Sequence, residues 1–383
     1  MLPAVVRTPI TSMTNTAATK LTPSTDSWWT FVSNDGITYA TNNDNITSNA
    51  NFSIGKFTSN LTLAYTPVNL LTAYGVEAGF DGTDGPVSPY TSTNKQSGLF
   101  GMLGNLYIFA NRGQYPNSTN PNQATYFGNV IKSTDHGATW NNWLTLTPAN
   151  ANGIEPPVTG GSKGQYQFAN SQYGWVVPIR YAADDGTVGY ATAGNRHDGA
   201  NAFVYATIIS GNIYNQNNLY LMRMARSTQF DAQSTTQQYW VCTVGCSPVT
   251  PASFVNDANW STSDSGKTAI YSASNAISWG EVEFIPGVNE YLLPTFSVTG
   301  LPTVTFSSSS WTILSGPTPA GPWTSIYTQS NGPTDPCTVP GDACAYYGMA
   351  AVHSDEIANT ATSNIKIRVL YSGSPSAPGY LPY

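Results

Sequence analysis

An all-β fold is predicted by three features of this 383-residue chain. Helix formers are scarce, and no long stretch repeats its apolar residues with the 3.6-residue period of a helix. Aromatic residues make up 12% of the chain, including 23 Tyr and 10 Trp, and such residues favour pleated surfaces. One eight-residue stretch, Ser133-Thr134-Asp135-His136-Gly137-Ala138-Thr139-Trp140, carries hairpin chemistry between two β-rich runs, 127–131 and 143–147.

That stretch fits the Asp-box pattern, Ser-x-Asp-x-Gly-x-Thr-Trp, at every fixed position. The Asp carboxylate is expected to accept hydrogen bonds from turn N–H groups, and Gly137 to take the positive φ of the turn. Ser133 and Thr139 would satisfy the remaining backbone groups while Trp140 packs into the sheet. His136 fills a variable position of the turn. The box resembles those of sialidase-type β-propellers, where it sits on blade hairpins away from the active site. It therefore implies fold and not chemistry. Ser33–Tyr39 reads as a shortened box, and Thr262–Thr268 as a weaker echo or an ordinary polar loop.

A second unit recurs along the chain: a turn, then a short hydrophobic strand ending in an aromatic. Its copies are 34–39, 104–109, 198–205, 286–293 and a degenerate 365–371. Their spacing of roughly 70–100 residues suits four-stranded sheets with long loops. Such sheets leave hydrophobic faces that only neighbouring sheets can cover, so the expected architecture is a single β-propeller. Counting copies gives five blades; counting hairpins leaves six or seven open. Residues 1–25, rich in Thr, Ser and Pro, are expected to run extended, with the propeller domain over 26–383 and no linker dividing it.

Charged residues are only 9% of the chain, and the net charge is −7. Nucleic acid as a partner is disfavoured, because it needs clustered Lys and Arg. No apolar run is long enough to span a membrane. Cys242 with Cys246 and Cys337 with Cys344 lie in Pro/Gly loops, and local pairing is the preferred of three connectivities. Disulfides and five sequons, at Asn45, Asn51, Asn60, Asn117 and Asn259, point to a secreted, extracellular glycoprotein. The chain reads as a mature monomer whose signal segment has been removed. No cofactor is expected. Structural calcium is an option in the Phe80–Gly85 loop, although its spacing fits no EF-hand.

Several segments, taken in order, resemble the DUF4185-type family of secreted propellers, which includes endo-D-arabinanases of glycoside hydrolase family 183. They are 25–39, Gly98–Tyr107, the Asp box, Asp198–Tyr205, Leu219–Arg226, Trp279–Phe284 and Gly321–Trp323. The resemblance implies a glycan-cleaving propeller with its active site at the central mouth. It does not carry a substrate, because long Asn/Ser/Pro insertions separate the segments.

Glycoside hydrolysis needs two carboxylates, and only 21 acids are present. Three sites combine an acid with sugar-binding chemistry. Asp26 precedes Trp28-Trp29, where it is a catalytic carboxylate or a strand-initiating turn former. Arg196-His197-Asp198 adjoins a cation, a titratable ring and a carboxylate, with Asp198 as acid or base and the other two gripping substrate. Trp279-Gly280-Glu281-Val282-Glu283 places Glu281 as a catalytic acid, and strand alternation puts Trp279 and Glu283 on its face as substrate contacts. Asp84, with Asp81 beside it, is a further substrate contact or an Asp-Gly turn. His353 is a weaker candidate from the last blade.

These residues favour a glycoside hydrolase acting on a polysaccharide or oligosaccharide. A uronate-directed lyase and a non-catalytic carbohydrate-binding propeller are the alternatives. A binding propeller would repeat one motif per blade, and these sites differ. A sialidase would need three arginines on one carboxylate. Arg112, Arg180, Arg196, Arg223 and Arg226 are the available cations, and none sits in a sialidase-like motif. Neither a Gly-x-Ser-x-Gly elbow nor a nucleotide-binding Gly-x-Gly-x-x-Gly helix start is present.

Overall fold

The computed structural model describes residues 9–12, 26–32, 37–45, 50–57, 65–68, 92–102, 105–114, 126–135, 173–179, 203–210, 217–225, 237–273, 276–277, 282–285, 288, 290–297, 310–330, 344–345, 350–353, 368–371 and 374–375. Within them the structure is all-β, with a single four-residue helix.

The strands fall into successive antiparallel sheets. The first contains β1 (Asp26–Val32), β2 (Thr38–Asn45), β3 (Ala50–Phe57) and β4 (Tyr65–Val68) in that order. The second contains β5 (Ser92–Met102), β6 (Asn105–Gln114) and β7 (Tyr126–Ser133). The third runs from β8 (Tyr173–Pro178) through β9 (Phe203–Ser210), β10 (Asn218–Ala225) and β11 (Gln237–Trp240) to β12 (Trp260–Ser261). β13 (Tyr271–Ser272) also pairs with β10. In the fourth, β14 (Ala276–Ile277) and β15 (Glu283–Ile285) both pair with β16 (Glu290–Ser297), followed by β17 (Ser310–Gly316) and β18 (Thr324–Ser330). Four short strands complete the chain: β19 (Cys344–Ala345), β20 (Ala350–His353), β21 (Arg368–Tyr371) and β22 (Ser374–Pro375). β19 pairs with β22 and β20 with β21.

The described part of each copy of the recurring unit falls in a strand of a different sheet: β2, β6, β9, β16 and, in the last pair, β21. β2, β6, β9 and β16 lie between neighbours in their sheets, which favours a continuous apolar run. The aromatics of β6 are buried, Tyr107 and Phe109 at 0% exposure. Tyr107 stands opposite Phe100, ring centroids 5.2 Å apart, and Tyr291 stands opposite Phe284 at 4.9 Å. Such pairs add about 0.5–1.5 kcal/mol beyond area burial.

The third and fourth sheets explain why clean polar–apolar alternation is missing from their strands. In β10, Met222 and Met224 join a core shared with Phe100, Met102, Tyr107 and Phe109 of the second sheet. Leu219 and Leu221, on the other face, join Val282, Phe284, Tyr291 and Leu293 of the fourth. A strand covered on both faces must be apolar on both. The opposite face of the fourth sheet carries Ile285, Val288, Leu292, Ile313 and Ile326, with Ile10 of the N-terminal segment packed against them. Between sheets, β1 contacts β5, β5 contacts β8, β16 contacts β20, and β20 contacts β1.

The Asp box begins where β7 ends. Ser133 is buried, and its hydroxyl donates to Asp135 Oδ1 at 2.8 Å. Asp135 N–H donates back to Ser133 Oγ at 3.4 Å. Residues 136–140, including His136, lie outside the described residues. At 262–268 the echo forms the turn between β12 and β13. Lys267 N–H donates to Asp264 C=O at 3.2 Å, and Lys267 Nζ lies 3.9 Å from Asp264 Oδ2.

Candidate active site

The first strand of each sheet is where the sequence-predicted acids divide. Asp26 is the first residue of β1. It pairs with Asn43 while Trp28 pairs with Asn42, so Ser27 is an extra residue on β1. Irregularities of this kind bend a strand and re-aim its side chains. Trp29 follows in register opposite Thr41. Asp84 lies outside the described residues, in the segment leading into β5, also a first strand.

The fourth sheet's first strand is in two pieces. Ile277 pairs with Phe296, and Glu283 with Leu292. The chain advances six residues on one side against four on the other, so two extra residues fall between β14 and β15. Trp279 and Glu281 belong to that stretch and lie outside the described residues.

Glu283, expected as a substrate contact, is described and is buried in the fold. It is 0% exposed, as is Glu290 on β16. Val282 and Phe284 belong to the core between the third and fourth sheets, and Ile285 and Leu292 to the core on the opposite face. Glu283 alternates with the first pair and therefore shares the second face. Glu290, opposite Ile285, shares it too. Ser315 stands opposite Leu292 and donates to Glu290 Oε2 at 2.8 Å. Sequence reasoning missed Glu290 because it reads as part of a turn. On the same face, burial pushes the Tyr327 hydroxyl above its ordinary value near 10.

Arg196, His197 and Asp198 lie outside the described residues, but the strand that they precede is described. β9 is the second strand of its sheet, and it begins beside the end of β8: Pro178 pairs with Ala206, and Tyr173 with Ser210. β9 therefore starts beside the end of β8, not beside its start. His353 is the last residue of β20, opposite Arg368.

Arg223, one of the cations considered for a substrate carboxylate, is engaged in the fold. It is 2% exposed, with its guanidinium 3.9 Å from the centroid of Phe203 and 4.4 Å from that of Trp260. Its Nε donates to Gln238 Oε1 at 2.7 Å and its Nη2 to the exposed Asp257 at 2.6 Å. The signal was a single cation inside an apolar run, Leu219–Ala225.

Beside it, residues 241–259 form a stapled excursion between β11 and β12. Cys242 and Cys246 are disulfide-bonded with Cα atoms 5.7 Å apart, as local pairing predicts. Cys344 starts β19, and Cys337 lies outside the described residues. A short helix, α1 (Pro251–Phe254), is started by a reciprocal cap. Ser253 N–H donates to Thr250 Oγ1, and Thr250 N–H to Ser253 Oγ.

The sequon residue Asn259 is built into the same excursion. Its side chain is 0% exposed, and Nδ2 donates to Val244 C=O and Ser253 C=O, both at 2.8 Å. Its Oδ1 accepts from Val244 N–H at 2.6 Å. A glycan on Nδ2 would break one of these bonds and has no room. Asn45 and Asn51 lie on β2 and β3, while Asn60 and Asn117 are outside the described residues.

Among the described residues no group of three or more His, Cys, Asp or Glu is placed to hold a metal ion. None of their helices is long and apolar enough to cross a membrane.

No protein family model matches the chain, and no curated protein matches it. Among solved structures it is similar to the Bacteroides ovatus xyloglucan PUL GH43B protein, at 11% identity and a TM-score of 0.40. That match covers 91% of this chain and 47% of the other, so the chain spans about half of that protein's length. It is also similar to the Microbacterium saccharophilum K-1 beta-fructofuranosidase catalytic domain, at 10% identity and a TM-score of 0.39, covering 85% and 69% of the two chains. The polysaccharide lyase Uly1 matches at 10% identity and a TM-score of 0.25, covering 85% and 51%.

Proposed function

We propose that this chain is a secreted, monomeric glycoside hydrolase built on a five-bladed β-propeller over residues 26–383, with Asp26 and Glu281 as its two carboxylates. The observation that carries the reading is that Asp26 opens a first strand, with Glu281 preceding β15 in the sequence. The circuit of contacts between sheets supports the ring, as do the cores joining the second sheet to the third and the third to the fourth.

In such a ring the first strands line the axis and run the same way, so their starts gather at one mouth. Trp28, Trp29 and Trp279 would then flank the acids with aromatic faces suited to sugar rings. One carboxyl protonates the leaving oxygen, and the other serves as base or nucleophile. Asp84 approaches the same mouth ahead of β5. Asp198 leads into a second strand and is left out of the pair, together with Arg196 and His197. The resemblance to DUF4185-type propellers belongs to the same proposal, because its segments fall in four successive sheets.

The test is incubation of purified protein with a panel of neutral and acidic polysaccharides. Release of reducing ends without ultraviolet-absorbing unsaturated uronate is the expected result. Unsaturated product would make the protein a lyase. Tight binding with no product would make it a carbohydrate-binding propeller.

A further inference from the structure

Within the described N-terminal stretch, 9–12, only Ile10 turns toward the protein. It is half-buried, whereas Pro9, Thr11 and Ser12 are exposed. The stretch belongs to no strand, so side-chain packing and not a backbone ladder sets its place. Ile10 packs against the cluster of Ile285, Val288, Leu292, Ile313 and Ile326 on the fourth sheet, beside Tyr327. Pro9 has a fixed φ, which lowers the entropy lost when Ile10 is held there.

The next described residues along the chain, Asp26–Val32, form β1 of the first sheet. The last pair of strands stands between these two attachment points, because β16 contacts β20 and β20 contacts β1. Sixteen residues separate Ile10 from Asp26 and can reach at most about 55 Å. Strands lie about 4.8 Å apart, so that length is ample to pass a whole sheet. The last pair is also where a tie is most useful. β20 and β21 have four residues each, β19 and β22 two each, and an isolated two-stranded sheet is marginal in water.

We infer that Ile10 anchors a strap, which ties the start of the first sheet to the apolar face of the fourth and steadies the last pair between them. The device is independent of the catalytic reading. Its signature is local: losing the anchor loosens the fourth sheet and the last pair, and leaves the third sheet as it was.

The test compares Ile10→Ser, Ile10→Val and a protein lacking residues 1–12 with the full chain, by amide hydrogen exchange and thermal unfolding. In Ile10→Ser, exchange should quicken about tenfold over 290–297, 324–330 and 350–353, and stay within about twofold over 203–210 and 218–225. Tm should fall by about 2–5 °C. Ile10→Val, which keeps an apolar side chain, should stay close to wild type, and the shortened protein should match Ile10→Ser. Wild-type exchange over the fourth sheet in Ile10→Ser would overturn the inference. Equal quickening in the third sheet would also overturn it, by making Ile10 an ordinary part of a shared core. A shortened protein far less stable than Ile10→Ser would remove Ile10 from the role of anchor.

Discussion

Gly98 of β5 and Pro178 of β8 meet at the junction of the second and third sheets. A Cβ at Gly98 would overlap the Pro178 ring, lying 2.8 Å from Cγ and closer still to Cδ. The side-chain hydrogen of glycine is what lets the two first strands approach this closely. Gly98→Ala should therefore destabilise the fold by about 1–3 kcal/mol, the usual cost of overpacking. Denaturant unfolding measures it, and unchanged stability would show that the junction relaxes freely.

Asn259 should matter more than the neighbouring disulfide. Cys242–Cys246 closes a very short loop, for which the chain-entropy estimate is only about 2 kcal/mol. Asn259 satisfies three backbone groups of the excursion, and each left buried and unsatisfied costs about 1–3 kcal/mol. Asn259→Ala is expected to lower stability further than Cys242→Ser with Cys246→Ser. Ser261→Ala, which removes the sequon and keeps Asn259, should leave stability near wild type. Mass spectrometry of protein from a glycosylating host should find Asn259 bare, and a glycan there in folded protein would contradict the account.

Arg223 makes an asymmetric ion pair, 2% exposed against 84% for Asp257. The exposed partner is screened by water, so Asp257→Ala should cost less than about 1 kcal/mol. Arg223→Lys loses the planar stack between Phe203 and Trp260 along with the hydrogen bond to Gln238, and should cost about 1–3 kcal/mol. Equal losses in thermal unfolding of the two variants would assign the stability to the ion pair.

Tyr327 is expected to contribute to a loss of stability at alkaline pH. Burial favours its neutral form, so its hydroxyl is raised above the unfolded value. Its contribution is complete below about pH 10, the unfolded value, and is lost as pH rises through the folded one. Tyr327→Phe should blunt the fall in stability above that pH. An unchanged alkaline profile would place the limit at other groups.

The recurring turn–strand–aromatic unit made the succession of antiparallel sheets legible, because strands paired on both sides have uninterrupted apolar runs such as Leu106–Phe109. The copies fall on strands that follow another strand of their sheet, whereas Asp26 opens β1, so the repeat does not mark the entries to which the proposed carboxylates belong. First strands are harder to read: β1 carries an irregularity at Ser27, and in the fourth sheet six residues from Ile277 to Glu283 stand against four from Phe296 to Leu292. Across that unequal stretch the alternation loses its phase, so Glu283 could not be assigned a face by counting from Trp279. Arg223 and Asn259 resemble functional surface groups in sequence and are buried through partners as far as 34 residues away in the chain.

The most direct measurement is glycan cleavage by Asp26→Asn, Glu281→Gln and Asp198→Asn, each confirmed as folded, on a substrate that wild type cuts. Asp26→Asn and Glu281→Gln should each lose about 10²- to 10⁴-fold in kcat, as expected for groups that transfer protons or attack the sugar. Asp198→Asn should stay within about threefold of wild type, the order expected of a group outside the chemistry. Wild-type rates in Asp26→Asn or Glu281→Gln, or an inactive Asp198→Asn, would contradict a mouth built from the first strands.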